Sequence, residues 1–198
     1  MNRRSFLELT LSAALSGAAG VEAGTGLENG VDCVALFEAE GSGRLCSARR
    51  LARSIPTFRL SGGDLDRLWF GAIAPALRTR PSLRIFGCTS WATLRCVEIM
   101  AMDHRRVTVL RVEHRPGENE TEHRLWMSAD HVGPFESCLS AEDFRPDALV
   151  RLLAKTARDR FGTHRVAHQV RSRSGAQANS PAVSWVIAPL GMPSSFPT

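Results

Sequence analysis

Three strand-like segments, each paired with a helix-like segment, constrain the fold of this chain more than any other feature of its sequence. The strands are short apolar runs that end near glycine, serine or proline, and they are expected at Val31–Phe37, Thr57–Leu60 and Leu83–Phe86. The helices have apolar residues at three- and four-residue steps, and they are expected at Leu45–Ile55, Asp64–Pro81 and Trp91–Met102. This alternation predicts an α/β domain with a mainly parallel sheet and helices on its faces.

The second half of the sequence has a different pattern. Two strand-like segments, Val107–His114 and Thr121–Met127, flank a polar stretch at 115–120, which predicts an antiparallel hairpin at one edge of the sheet. A last strand is predicted at Ser184–Ala188, after a stretch near 171–182 that is rich in serine, glycine, alanine and glutamine. That stretch is predicted to be a mobile loop that joins two parts of one sheet.

Length and composition fit one soluble domain. The chain has 198 residues, 43% of them hydrophobic and 23% charged, and no apolar run approaches the ~20 residues that span a bilayer. Lys155 is the only lysine, so nearly all of the basic residues are arginine, and tyrosine is absent. Because a genome rich in G and C produces both biases, the formal charge of +5 is weak support for a nucleic-acid ligand.

The N-terminus has the three-part architecture of a signal peptide. Arg3 and Arg4 are followed by Ser5, Phe6 and Leu7, then by a mild apolar stretch and by small residues. This segment resembles the leaders of bacterial twin-arginine (Tat) signal-peptide proteins. The resemblance covers residues 1–23, with cleavage expected after Gly20 or Ala23.

The rest of the chain is then expected to divide simply. Residues 24–30 are predicted to be a flexible lead-in, and residues 31–198 a single α/β domain. The middle of this domain and the closing Ser-Trp-Val-Ile-Ala-Pro are similar to uncharacterised exported proteobacterial proteins. That similarity implies no particular activity.

The leader resemblance implies a route and a set of partners. Tat substrates are carried folded, so it implies recognition by the Tat translocase, location in a bacterial periplasm, and no stable membrane span after cleavage. Tat substrates often carry a cofactor inserted before export, or travel with a partner on the same leader. A larger exported enzyme subunit is therefore an expected partner, whereas nucleic acid is not; the sequence does not identify a cofactor.

A glycine motif after the first strand invites a dinucleotide-binding interpretation. Gly41-Ser42-Gly43 is followed by Asp64 about twenty residues later, but the third glycine position of the fingerprint is Cys46. Dinucleotide binding needs glycines where the backbone approaches closely, and the motif lacks one of them. A simple chain turn is therefore the better interpretation.

Cys88 is the most interesting of five cysteines, the others being Cys33, Cys46, Cys96 and Cys138. No C-x-x-C occurs, which disfavours a thioredoxin-type redox pair and a zinc ribbon, although up to two disulfides remain open. Cys88 lies in a predicted turn between a strand and a helix, a place where ligands bind in open α/β sheets. It is the candidate catalytic nucleophile, and Thr89 and Ser90 are candidate ligand-binding residues; a buried structural cysteine and a helix cap are the alternatives.

The six histidines do not predict a metal site. His164 and His168 have a helical i, i+4 spacing, but they follow Gly162 in a segment that is expected to be extended, where such residues lie ~13 Å apart. Asp130 and His131 fall in a segment interpreted as a solvated loop. Whether any histidine comes within reach of Cys88 is left open by the sequence.

Three hypotheses follow. The first is a noncatalytic accessory or small subunit of an exported, redox complex; if Trp126 and Trp185 shared an exposed edge, they could anchor the partner. The second is a periplasmic enzyme or small-ligand binder that uses the turn from Gly87 to Ser90. The third is an envelope protein held at anionic surfaces by its arginines.

Overall fold

The described part of the chain forms one mixed sheet with helices on both faces. In a computed structural model, the described residues are 32–38, 55–61, 64–141, 144, 146–159, 161, 165–172 and 182–190. The predicted signal peptide, the lead-in, the glycine motif at 41–43 and nearly all of the predicted helix at 45–55 lie outside these ranges, as do Cys46 and His164.

Among the residues that the structure describes, seven strands make up the sheet. They are β1 Cys33–Glu38, β2 Thr57–Leu60, β3 Arg84–Thr89, β4 Arg106–Pro116, β5 Thr121–Ser128, β6 Arg165–Ser172 and β7 Ala182–Pro189, in the order β2-β1-β3-β7-β4-β5-β6. Only the β1–β2 and β1–β3 pairs are parallel, whereas the β3–β7, β7–β4, β4–β5 and β5–β6 pairs are antiparallel.

The predicted mainly parallel sheet is therefore wrong. The last strand, β7, lies in the middle of the sheet and runs antiparallel to both of its neighbours, β3 and β4. Strands β4 and β5 form the predicted hairpin, and β6 extends it by one more antiparallel strand. The alternation of strands and helices in the first half correctly indicates a parallel part, but that part ends at β3.

Within the described ranges, four helices cover the sheet. They are α1, a continuous helical run made of Leu65–Leu68, Trp69–Ile73 and Ala74–Thr79, then α2 Trp91–Met102, α3 Ala129–Leu139 and α4 Pro146–Thr156. Helices α1 and α2 contribute to one apolar cluster with the outer side chains of β1, β3 and β7. Helices α3 and α4 contribute to a second cluster on the opposite, inner face of the sheet.

Helix α1 accommodates an internal proline. Pro75 lacks the N–H that would bond one turn back, and the turn before it, Trp69–Ile73, is π-helical. The wider turn lets the helix continue to Thr79 while Trp69 and Ile73 stay fully buried. The π-helical turn is thus the place where the helix accommodates Pro75.

Helix α3 corrects the expectation of a solvated loop around Asp130 and His131. Gly133 and Pro134 favour a loop, yet the helix runs through both of them. Phe135 and Leu139, four residues apart, are fully buried in the inner cluster. The apolar surface that they bury outweighs the one backbone hydrogen bond that Pro134 removes.

Most of the buried polar side chains lie along one end of the sheet, where strand termini meet. The carboxyl ends of β1, β3, β4 and β6 meet the amino ends of β5 and β7 there, because Cys88 pairs with Ser184, His114 with His123, and Thr121 with Ser172. We call this the polar edge. It contains Cys88, Thr89 and Ser90, the candidate site residues.

Candidate functional site

The candidate turn at Gly87–Ser90 belongs largely to a strand. Strand β3 continues through Gly87, Cys88 and Thr89, and Ser90 alone connects it to helix α2. The predicted turn is thus wrong, because β3 is a central strand that pairs with β1 as far as Cys88 and with β7 as far as Thr89. Cys88 is 1% exposed and Thr89 is fully buried.

Cys88 and Thr89 face opposite sides of the sheet, as neighbours in a strand must. Thr89 Oγ1 accepts a hydrogen bond from Trp185 Nε1 at 3.0 Å and donates to the carbonyl of Ser90 at 3.1 Å. Trp185 is itself fully buried. Thr89 therefore satisfies the indole N–H of a core tryptophan, and its ligand-binding role stays a prediction.

Ser90 is the N-cap of α2, as the sequence predicts, and its side chain accepts a hydrogen bond from the backbone N–H of Thr93 at 3.3 Å. The carboxylate of Glu38, at the end of β1, also lies at this helix terminus. It accepts hydrogen bonds from the backbone N–H and the hydroxyl of Ser90 and from the hydroxyl of Thr93. The Glu38 carboxylate thus occupies the backbone N–H and the hydroxyl that Ser90 would otherwise offer to an anionic ligand at the helix N-terminus.

A chain of hydrogen bonds crosses four strands on the inner face of the polar edge. Nδ1 of His114 lies 2.7 Å from Nδ1 of His123, Nε2 of His114 lies 2.9 Å from Oγ of Ser184, and Nε2 of His123 lies 2.8 Å from Oγ of Ser172. We call these four residues the Ser–His–His–Ser chain. All four side chains are buried, and Cys88 lies next to Ser184 on the neighbouring strand.

Burial keeps both histidines of this chain neutral. It lowers the pKa of His114 to about 3, with a further contribution from the nearby His123, and it lowers the pKa of His123 to about 4. Of two neutral imidazoles, one can donate its Nδ1–H to the other, and the serine hydroxyls then satisfy the two Nε2 atoms. Every ring nitrogen in the pair has a partner, so the chain is a satisfied buried network.

This network answers the question of which histidine comes near Cys88. His114 is the nearest candidate in register, but its Nε2 faces the hydroxyl of Ser184. Both histidines are 1% exposed, so in the described part neither ring presents a nitrogen to solvent. The nucleophilic role of Cys88 stays a prediction that the buried position does not favour.

On the opposite face of the sheet, the described helices leave side chains of β4, β5 and β6 exposed or half-buried, and we call this the open face. It carries a stack of aromatic and guanidinium groups. The guanidinium carbon of Arg111 lies 4.8 Å from the ring centre of Trp91 and 5.4 Å from the ring centre of Trp126. The guanidinium carbon of Arg165 lies 4.4 Å from the ring centre of Trp126. We call these four residues the Trp–Arg stack. Strand β4 supplies Arg111, β5 supplies Trp126, β6 supplies Arg165, and the first turn of α2 supplies Trp91.

Arginine predominates on this open face. The register of the strands places five arginines and two glutamates on it, namely Arg111, Arg115, Arg124, Arg165, Arg171, Glu113 and Glu122. Glu113 lies 3.5 Å from Nε of Arg111 and 3.1 Å from Arg115, and Glu122 pairs with Arg124. Glu120, directly before β5, lies 3.3 Å from Arg171. Nε of Arg111 is nevertheless buried without a hydrogen bond. The face thus holds more positive charge than its own carboxylates balance.

The described cysteines and histidines form no other reactive group. Cys33, Cys96 and Cys138 are free thiols, and burial raises the pKa of Cys33 and of Cys138. Within the described ranges there is no cluster of three or more histidine, cysteine, aspartate or glutamate side chains that could hold a metal ion. His168 lies on β6 with its Nε2 3.5 Å from a carboxylate oxygen of Glu136.

Sequence reasoning missed both the Ser–His–His–Ser chain and the Trp–Arg stack. In each, the members come from several strands or from a strand and a helix, so only the register brings them together. A signal for the first did exist: His114 shares the apolar alternation of Leu110 and Val112, which indicates an inward-facing histidine.

Comparisons with known proteins add no further constraint. No family model, no curated protein and no solved structure matches the chain. Among the helices that the structure describes, none combines the length and the apolar character needed to cross a bilayer.

Proposed function

We propose that this chain is an exported, noncatalytic accessory protein that binds a larger partner through the open face of β4, β5 and β6. The partner is proposed to be an exported enzyme, of the redox type that travels with twin-arginine leaders. Export rests on the sequence resemblance at Arg3, Arg4, Phe6 and Leu7, and the bacterial periplasm is the proposed location.

The observation that carries the proposal is the contrast between the two faces of the sheet. The side chains with nucleophilic or acid–base chemistry at the polar edge, Cys88, His114 and His123, are each 1% exposed. The Trp–Arg stack, in contrast, presents half-buried tryptophans and exposed Arg165 outward. Tryptophan and arginine are the residues most enriched at the energetic centres of protein interfaces, so the open face supports binding better than the interior supports catalysis.

The two tryptophans considered as anchors of a shared exposed edge have different surroundings: Trp185 is a core residue, whereas Trp126 lies on the open face. Trp185 therefore takes no part in the proposed interface.

Co-purification from the native host tests the proposal. When a tagged, leader-bearing chain is expressed, it should be recovered from the periplasmic fraction together with a stoichiometric larger protein. The recovered chain should have lost its leader by cleavage near Ala23. Replacing the interface anchor, Trp126→Ala, should reduce recovery of that protein at least about tenfold, because truncation of a central aromatic anchor costs about 2 kcal/mol or more, whereas a tenfold loss of affinity needs only about 1.4 kcal/mol. Mass spectrometry of the eluate gives both the identity and the ratio.

The matched control is Phe70→Ala, which removes an aromatic side chain that is 68% exposed on α1, away from the open face. It should leave recovery unchanged. Recovery of the chain alone, or equal loss in both variants, would refute the accessory role. A second control, the double substitution Arg3→Lys and Arg4→Lys, should leave the chain uncleaved in the cytoplasm if the leader follows the twin-arginine route.

A further inference from the structure

We infer that the occupant of the open face is an acidic segment of the partner protein, whose carboxylates bind Arg111 and Arg165. This inference rests on the proposed accessory function and adds the chemistry of the partner. Charge is its first support, since the five arginines of the face exceed its two glutamates together with Glu120, which pairs with Arg171. A complementary partner surface must therefore be acidic.

The hydrogen-bonding state of the two guanidinium groups is the second support. In the part of the chain that the structure describes, Arg165 contacts the ring of Trp126 but has no hydrogen bond and no ion pair. Arg111 has a carboxylate only at 3.5 Å, and its buried Nε makes no hydrogen bond. A guanidinium that lies against an aromatic ring keeps its N–H groups at the edge, where they match the two oxygens of a carboxylate.

The packing of the stack is the third support. The side chains of Arg111 and Arg165 are held against indole rings before any partner arrives, so less side-chain entropy is lost on binding. The same contacts disfavour a single-stranded nucleic acid. Its bases need free aromatic faces on which to stack, whereas the ring of Trp126 already contacts two guanidinium groups.

The indole N–H signals of the four tryptophans make a direct test. The full chain, labelled with ¹⁵N and assigned by single Trp→Phe substitutions, is titrated with hexaglutamate at low salt, and in parallel with hexalysine and a six-nucleotide oligothymidine. Hexaglutamate should shift the signals of Trp91 and Trp126 and leave those of the buried Trp69 and Trp185 in place. The affinity should fall as salt is added.

Charge-neutral variants make the test specific to the stack. Arg165→Gln should weaken hexaglutamate binding about tenfold, as expected for the loss of a charge-assisted hydrogen bond. Arg78→Gln removes the same charge from an exposed position of α1 and should have little effect. Equal effects of the two variants, or no shift at Trp91 and Trp126, would overturn the inference; so would tighter binding of oligothymidine, which would identify nucleic acid as the occupant.

The two proposals fail in different ways. If hexaglutamate does not bind but recovery of the partner still depends on Trp126, the acidic chemistry is wrong and the accessory function stands. If hexaglutamate binds at the stack but no partner is recovered, the acidic ligand stands and the accessory function is wrong.

Discussion

Lowering the pH from 7.5 to 5 should reduce the free energy of unfolding by about 4 kcal/mol through His114 and His123 alone. Burial places the pKa of His114 at about 3 and that of His123 at about 4, both below the usual 6.5. At pH 5 the folded protein still holds both rings largely neutral, whereas the unfolded chain has protonated both. Each site then costs about 2 kcal/mol, since one pKa unit corresponds to about 1.4 kcal/mol.

The direction of this effect follows from which state binds more protons. Because both pKa values are depressed by folding, the unfolded chain takes up protons first, near pH 6.5. The stabilisation is complete above that pH and is lost as the pH falls toward the two folded values. Urea unfolding followed by circular dichroism at several pH values between 7.5 and 5 measures it.

Two variants separate titration from packing. His114→Gln removes one titrating group, so the loss of stability between pH 7.5 and 5 should be about half that of the unmodified protein. Ser172→Ala breaks the hydrogen bond to His123 but leaves both imidazoles, so it should lower stability at pH 7.5 and keep the pH dependence. A pH dependence that is the same in His114→Gln as in the unmodified protein would show that the pair is not responsible.

Replacing Gly87 by alanine should destabilise the fold by at least about 3 kcal/mol, the upper range for overpacking a core. A Cβ at this position would lie 2.2 Å from the carbonyl oxygen of Leu36 and 2.9 Å from Cζ2 of Trp185. The first of these atoms is backbone of the paired strand β1, so β1 and β3 would have to separate. Loss of this packing would also disturb the neighbouring Cys88 and Thr89.

Gly71→Ala is the matched control. Gly71 lies in the π-helical turn of α1, and a Cβ there meets no atom within 4 Å. Because alanine favours helices over glycine by about 1 kcal/mol, this variant should be neutral or slightly stabilising. Urea unfolding of both variants at pH 7.5 measures the difference, and a Gly87→Ala variant within about 1 kcal/mol of the unmodified protein would contradict the packing described here.

Local patterns predicted individual elements well. The alternation of apolar residues in 107–114 and 121–127 predicted the hairpin of β4 and β5, and Ser90 was correctly predicted to cap α2. These features depend on residues that are close in sequence. The apolar segment around Trp185 was also correctly predicted to be a strand, and the structure places it in the same sheet.

Sheet order and register could not be predicted in the same way. Nothing local in Ser184–Ala188 says that this strand inserts between β3 and β4, and that insertion is what makes the sheet mainly antiparallel. The end of β3 was missed because Gly87 favours a turn locally, whereas in the sheet it allows close approach to Leu36 and Trp185.

The candidate site shows the same limit. Cys88 and Ser90 were chosen from their position between a strand and a helix, but their partners Ser184 and Glu38 come from distant parts of the chain. The Trp–Arg stack combines α2 with three strands, so its members share no motif. What the sequence could not supply in both cases was the set of long-range neighbours.

Hydroxyl-radical footprinting in intact cells and on the purified protein tests most directly whether the open face is covered by a partner. The ratio of oxidation at Trp126 to oxidation at Phe70, read by mass spectrometry, compares the open face with an exposed aromatic residue elsewhere. We expect the ratio to be several-fold lower in the periplasm than in the isolated chain, because a partner shields Trp126 there. The same ratio in both samples would contradict a partner on this face.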